Sequence, residues 1–267
     1  MSSPIDTNQP DHIVDMHEMV TDTNQASEVL QGDCLELMKD IPDGSVDMIL
    51  ADLPYGTTAC KWDTIIPFEP LWEQYKRIIK PNGAIVLTAS QPFTSALVMS
   101  NPKMFRYSWV WQKTRFSNQM LAKHQPLKIH EDILVFSNFK HNYQPQGLIK
   151  VDKLTRQGKR ITDNIGGGER ATVYRQEFTN YPKSIQVFKN ETGYHPTQKP
   201  VALFEYLIKT YTNEGDLVLD NVAGSGTTGV AAQNLNRNFI LMEQEPEYVE
   251  IIKQRLELNK KQLEAEL

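Results

Sequence analysis

Two textures of hydrophobic position alternate along the chain. Val46-Asp47-Met48-Ile49-Leu50-Ala51 and Ala84-Ile85-Val86-Leu87-Thr88 are short apolar runs bounded by Asp, Gly and Pro, as in parallel strands covered on both faces. Between them Leu71, Trp72, Tyr75, Ile78 and Ile79 fall at helical spacing over 68–80, and Pro81-Asn82-Gly83 closes that helix. Strand, helix and strand in that order predict a βαβ unit. Two further strands are predicted at 107–111 and 132–136. Later, Val201, Leu203, Phe204, Leu207 and Ile208 mark a helix over 200–211. A strand at 217–219, a helix at 228–235, a strand at 239–242 and a helix at 245–263 complete the series. The alternation predicts an α/β fold with a doubly wound, mostly parallel sheet.

The regular texture lapses twice. Residues 1–27 are polar and aperiodic and read as a loosely held tail. Residues 114–190 mix Gly166-Gly167-Gly168 with scattered basic residues and read as an irregular insert. The predicted organisation is therefore a tail at 1–27, a first half at 28–136, an insert at 137–190 and a second half at 191–267.

Charge changes this picture. The 267 residues hold 28 Lys+Arg against 33 Asp+Glu, a net charge of −5 that argues against binding nucleic acid by bulk charge. By position the result differs. Residues 101–190 carry 16 basic and six acidic side chains, a net +10, leaving −15 for the rest. A basic middle in an acidic frame predicts a surface that faces a polyanion. There is no run of 18 apolar residues, so no transmembrane helix is expected, and the polar start does not look like a secretory signal. Cys34 and Cys60 are too few for a disulfide framework and lack the partners of a zinc site. The reading is cytoplasmic and metal-free.

The candidate chemistry has two parts. Asp220-Asn221-Val222-Ala223-Gly224-Ser225-Gly226-Thr227 follows a predicted strand and opens a helix, and Gly224, Gly226 and Gly229 satisfy the G-x-G-x-x-G spacing. The spacing alone would suit a nicotinamide dehydrogenase, but Asp220 would repel a pyrophosphate there. A carboxylate in that place suits a cationic ligand such as S-adenosylmethionine, and Glu243, ending the next strand, can accept ribose hydroxyls. Far upstream, Asp52-Leu53-Pro54-Tyr55 follows the strand 46–51 and so projects from the edge where α/β proteins place ligands. The amino group of adenine or cytosine is a poor nucleophile because its lone pair is delocalised. If Asp52 and the Pro54 carbonyl each accept one amino hydrogen, the nitrogen is held pyramidal, and Tyr55 can stack on an extruded base.

In their order these motifs resemble the β-class amino DNA methyltransferases, which act on adenine N6 or cytosine N4. In that class a D-P-P-Y-type tetrapeptide precedes the S-adenosylmethionine turn, and a target recognition region lies between them. The resemblance covers about 28–136 and 190–255. It implies a Rossmann-like sheet with permuted motif order, S-adenosylmethionine as cofactor, and methylation of the exocyclic N6 of a flipped adenine in double-stranded DNA. Cytosine N4 and an inactive DNA-binding homologue remain as alternatives. So does a homodimer, and no membrane is expected as a partner.

Residue by residue, the resemblance assigns catalysis to Asp52, Pro54 and Tyr55. Asp33 and Cys34 would cap the cofactor's adenine, and His195, Thr197, Gln198 and Lys199 would hold its methionine end. Asp220, Val222, Gly224, Ser225, Gly226, Thr227 and Glu243 would complete the cofactor site together with Asp52. By their charge, Lys113, Lys153, Arg156, Lys159 and Arg160 fit a face toward DNA phosphates, with a core strand bearing one exposed lysine as the alternative for 109–113. The sequence departs from the family at Leu53, where Pro is usual, and at Asn221-Val222, where Pro-Phe is usual. Neither cysteine follows a proline, which disfavours the cysteine-dependent chemistry of C5 methylation.

Overall fold

A computed structural model describes residues 27–57, 63–156, 173–194 and 197–266. The tail expected at 1–27 falls almost wholly outside the described residues, as do Cys60, Lys159, Arg160, Gly166-Gly167-Gly168 and His195.

The apolar runs form the centre of an eight-stranded sheet. In chain order the elements are β1 (Glu28–Gln31), α1 (Cys34–Leu37), β2 (Val46–Ala51), α2 (Phe68–Ile78), β3 (Ile79–Ala89), α3 (Phe93–Ser100), β4 (Phe105–Ser117) and β5 (Lys128–Phe136). Then follow β6 (Ile149–Arg156), β7 (Val173–Thr179), β8 (Ile185–Phe188), α4 (Val201–Tyr211), β9 (Leu217–Asp220), α5 (Thr227–Asn234), β10 (Asn238–Glu243) and α6 (Pro246–Glu266). The sheet order is β1-β10-β9-β2-β3-β5-β4-β8, parallel throughout except for β5.

Pleating sorts each central strand onto two cores. Ile49, Ala51, Ile85 and Leu87 face α2 and α3, packing with Leu71, Trp72, Tyr75 and Leu97. Met48, Leu50, Ala84 and Val86 face the other way, against Leu203, Phe204 and Leu207 of α4, Ala231 of α5 and Ile252 of α6. That double burial is why these strands read as unbroken apolar runs. The expected doubly wound, mostly parallel α/β fold is present.

The direction of winding places the ligand crevice. From β2 the chain crosses over α2 to β3 on one side; from β9 it crosses over α5 to β10 on the other. Right-handed crossovers in opposite directions put α2 and α5 on opposite faces and open a switch point between β2 and β9. Asp52 follows β2 and Asp220 ends β9, so the two motifs, 168 residues apart in the numbering, meet there.

Two local expectations are corrected. Helix α2 stops at Ile78, and Pro81-Asn82-Gly83 lies inside β3. The β2–β3 register shifts between Val46 and Met48, which accommodates the exposed proline end of β3. The insert is also more regular than expected. β6 and β7 pair as a separate antiparallel ribbon, and β8 joins the main sheet beside β4. Their alternating exposed and half-buried residues hide a strand signal among basic side chains.

Candidate functional site

The carboxyl ends of β1, β2, β9 and β10 surround a cavity of about 870 Å³, within the usual range for a ligand pocket. Asp33, Cys34, Asp52, Pro54, Tyr55, Thr197, Gln198, Lys199, Asp220, Val222, Gly224, Ser225, Thr227 and Glu243 all line it. The sequence reading thus brings together residues from both ends of the chain. Gly226 does not line the cavity. It starts α5 with φ +79°, and a side chain there would press on Ile252, so its part is the turn itself.

On the β2 side, Asp52 is held by three donors. The Tyr55 hydroxyl donates to Oδ1 at 2.8 Å, the Thr88 hydroxyl donates to the same oxygen, and the Lys199 ammonium donates to Oδ2. A carboxylate offers about four acceptor positions, so one remains for a further N–H. Tyr55 also has an aromatic neighbour that the sequence did not show. Its ring stacks on Phe93, centroids 5.2 Å apart and 26° between planes, and part of it faces the cavity. It braces Asp52 as well as presenting an aromatic surface. Burial and the neighbouring Asp52 and Glu131 charges push the phenol well above its usual range, keeping it a donor.

Lys199 is only 6% exposed and sits over the Tyr55 ring at 5.7 Å. Glu131 Oε2 lies 3.5 Å from its ammonium, and Glu131 Oε1 accepts from Lys113. Burial opposes the Lys199 charge, but Asp52 and Glu131 more than offset it, so its pKa is raised. Lys199 was expected at the methionine end of a cofactor; in the structure it fastens the Asp52 carboxylate and also lines the cavity. Lys113 was expected on DNA; here it is mostly buried, paired with Glu131 and lying 4.9 Å over Trp111. The reason lies in register: Trp111 pairs with Glu131 across β4 and β5, so Lys113 and Glu131 share one end of that ribbon. The isolated lysine after two tryptophans gave no sign of this partner.

On the β9 side, Asp220 is 3% exposed. Its carboxylate accepts from the Thr228 hydroxyl and, at 3.1 Å, from the Val222 N–H. Burial outweighs both bonds and raises its pKa from 3.8 to about 7. A buried acid so reluctant to ionise is one that a cationic ligand would relieve. Glu243 accepts from the Gly224 N–H at 2.8 Å through one oxygen and from the Glu245 N–H at 2.9 Å through the other, which leaves lone pairs toward the cavity. Asp33 caps α1, accepting from Leu35 N–H at 2.8 Å.

The departures from the family pattern have local explanations. Leu53 is 3% exposed and belongs to the core beneath the site. Asn221 is buried, and its side-chain oxygen accepts from the Tyr75 hydroxyl at 2.6 Å. Cys34 is half-buried, and burial raises its thiol pKa, which makes it a poor nucleophile.

Sequence reasoning missed several supports. Thr88 closes an apolar run, and Glu131 directly precedes a predicted strand; an isolated polar group at a strand's end was the available signal. Arg255, on the face of α6, is buried and donates to the Ser225 carbonyl at 3.0 Å and to the Thr227 hydroxyl at 3.2 Å, bracing the glycine turn. Of the expected DNA-facing residues, Lys153 is exposed on β6, and the Arg156 backbone pairs with Val173.

Comparison with known proteins agrees with this geometry. The N6/N4 family model described as DNA methylase matches residues 46–254. The chain is 30% identical over 253 residues to the DNA adenine methyltransferase YhdJ of Escherichia coli, covering 88% of this chain and 84% of that one. It is 29% identical over 238 residues to the Type II methyltransferase M.HpaI of Haemophilus parainfluenzae, covering 84% and 72%. Among solved structures, the M1.HpyAVI–SAM complex superposes with a TM-score of 0.59 at 26% identity, covering 86% of this chain and 99% of that one. The cytosine-N4-specific PvuII methyltransferase shares the fold with a TM-score of 0.64 at 16% identity, covering 86% of each chain.

Proposed function

The chain belongs to the N6/N4 DNA methylase family, and on that premise we propose that it methylates the exocyclic N6 of adenine at specific sites in double-stranded DNA. The observation that carries the reading is Asp52, a carboxylate with one free acceptor position, standing across the switch point from the buried acid Asp220. The adenine choice is supported by Asp rather than Ser at the head of the tetrapeptide. It is also supported by the name of the Escherichia coli relative.

S-adenosylmethionine fits the cavity. It would lie along Asp33, Asp220, Gly224 and Glu243, with its cationic end near Asp220, and it supplies a methyl group already activated by a sulfonium. The rest is done by the chain. Asp52 accepts a hydrogen bond from one amino N–H of the flipped base in its remaining acceptor position and the Pro54 carbonyl accepts one from the other; the proton that the nitrogen sheds on methylation leaves through Asp52. With both hydrogens held, the nitrogen lone pair points out of the ring plane, free to attack. Lys199, Thr88 and the Tyr55 hydroxyl keep Asp52 from turning, and positioning of this kind supplies a large part of the rate. The exposed part of the Tyr55 ring stacks on the base. Exposed basic residues of the insert, Lys153 among them, take phosphates, with Arg156, Lys159 and Arg160 assigned to the same face by sequence. The work is cytoplasmic, and the Type II names of relatives support a modification enzyme paired with restriction.

The test is nucleoside analysis, with base-modification sequencing, of DNA from cells expressing the protein. N6-methyladenine in one short motif is the expected product. N4-methylcytosine alone would replace adenine by cytosine in this reading, and no methylated base would overturn it.

A further inference from the structure

One patch beside the catalytic cavity is unlike the rest of the surface. Past Ala89, where β3 ends, β4 and β5 run on, with β8 beside β4 as far as Lys113, and the arm they form closes with Ser117 paired to Lys128. This arm leaves the sheet at the edge that carries Asp52. Ser117, Asn118 and Lys128, at its closing end, line the cavity. Its tip is a short 3-10 turn at Gln119–Leu121, entered through Asn118 at φ +67°.

The tip is apolar and bare. Met120 is 93% exposed, and Leu121 and Phe116 are exposed beside it. A methionine so exposed, grouped with other large apolar side chains, marks a surface that meets a partner. Charge says which partner. Between Lys113 and Glu131 the sequence has Arg115, Lys123 and Lys128 and no acid at all, in a chain whose net charge is −5. An apolar point on an acid-free basic arm, continuous with a pocket for a single base, fits duplex DNA better than an acidic second copy of this chain.

We propose that Met120 is a wedge: it enters the duplex at the target base pair and fills the space that the flipped base leaves. Apolar side chains that enter a base stack offset part of the unstacking cost, and flipping is least costly where the base is already unpaired. Arg115 and Lys123 hold the flanking phosphates while the tip goes in. The inference rests on the base-flipping reading above and adds to it the residue that opens the helix.

The experiment compares two duplexes carrying the motif found by modification sequencing, one with the target base paired and one with it opposite an abasic site. Met120→Ala should lose roughly ten- to a hundredfold in kcat/KM on the paired duplex, the size expected for a few kcal/mol of unstacking. On the unpaired duplex it should stay within about threefold of wild type, and Met120→Leu should restore the paired rate. S-adenosylmethionine affinity should be unchanged in both variants. An equal loss on both duplexes, or no loss on either, would overturn the wedge. So would a loss of self-association in Met120→Ala, which would assign the tip to a second copy of the chain. A wild-type protein that methylates neither duplex would overturn the function and the wedge together.

Discussion

The pKa of Asp220 near 7 ties cofactor affinity to pH. Burial holds this carboxyl from 3.8 up to about 7, so at pH 6 about nine-tenths of the cofactor-free protein carries a neutral Asp220. A cationic cofactor favours the carboxylate. Binding at pH 6 must therefore expel a proton, and affinity should be about tenfold weaker at pH 6 than on a plateau above pH 8. Folding shows the same linkage with its own sign. The folded state keeps a proton that the unfolded chain releases between pH 3.8 and about 7, so the Asp220 contribution falls as pH rises through that window. Above it, the buried charge costs about 4 kcal/mol net, the bonds from Thr228 and Val222 already included. Asp220→Asn removes the titration. The cofactor-free variant should gain stability over wild type at pH 8 and little at pH 4, while binding S-adenosylmethionine weakly at every pH. Titration calorimetry at pH 6, 7 and 8, in two buffers of different ionisation heat, counts the expelled proton directly, and urea unfolding gives the stability difference. Flat affinity across that range with no proton release would refute the reasoning.

Other expected outcomes follow from the same geometry. Asp52→Ala should abolish methyl transfer while leaving S-adenosylmethionine binding within a few-fold of wild type, read by calorimetry; near-normal turnover would sink the mechanism. Lys199→Met removes the donor that fixes Asp52 Oδ2 and should cut kcat by roughly ten- to a hundredfold with a smaller change in cofactor affinity; the reverse pattern would return Lys199 to the methionine end. Glu131→Gln withdraws one of the two carboxylates that sustain the Lys199 charge, so the alkaline limb of the kcat–pH profile should move to lower pH. Gly229→Ala places a Cβ 2.6 Å from Leu241 Cδ1, where α5 approaches β10, and should cost about 1–3 kcal/mol in urea unfolding. No change in midpoint would show that the helix can withdraw freely.

Much of the molecule was legible in one dimension. The buried strands are unbroken apolar runs because both faces of the sheet are covered, and the helices carry their stripe at regular spacing. The tetrapeptide and the glycine turn were recognisable because their chemistry is local: an acid, a rigid backbone and an aromatic ring in one case, a turn at a helix start in the other. The order of these motifs was enough to place the chain in its family. The sequence did not show, however, that Lys113 pairs with Glu131 or that Lys199 fastens Asp52, and it made the insert irregular.

Those were matters of tertiary structure. Thr88, Glu131 and Lys199 come from three separate elements; Thr88 and Lys199 hold Asp52, and Glu131 holds Lys199, only because β3, β5 and the segment before α4 converge at one edge. A buried lysine must find a carboxylate because an unpaired charge is costly away from water, but which carboxylate depends on register, and register is not written in any local pattern. The sequence by itself determined the central strands, the two motifs and the class of chemistry. The fold alone decided which charges pair, how far the buried acid at the glycine turn is pushed toward neutrality, and that a bare methionine stands two residues from Asn118 on the cavity wall. Burial and pairing are properties of residues distant in sequence, and they exist only once the chain has closed around them.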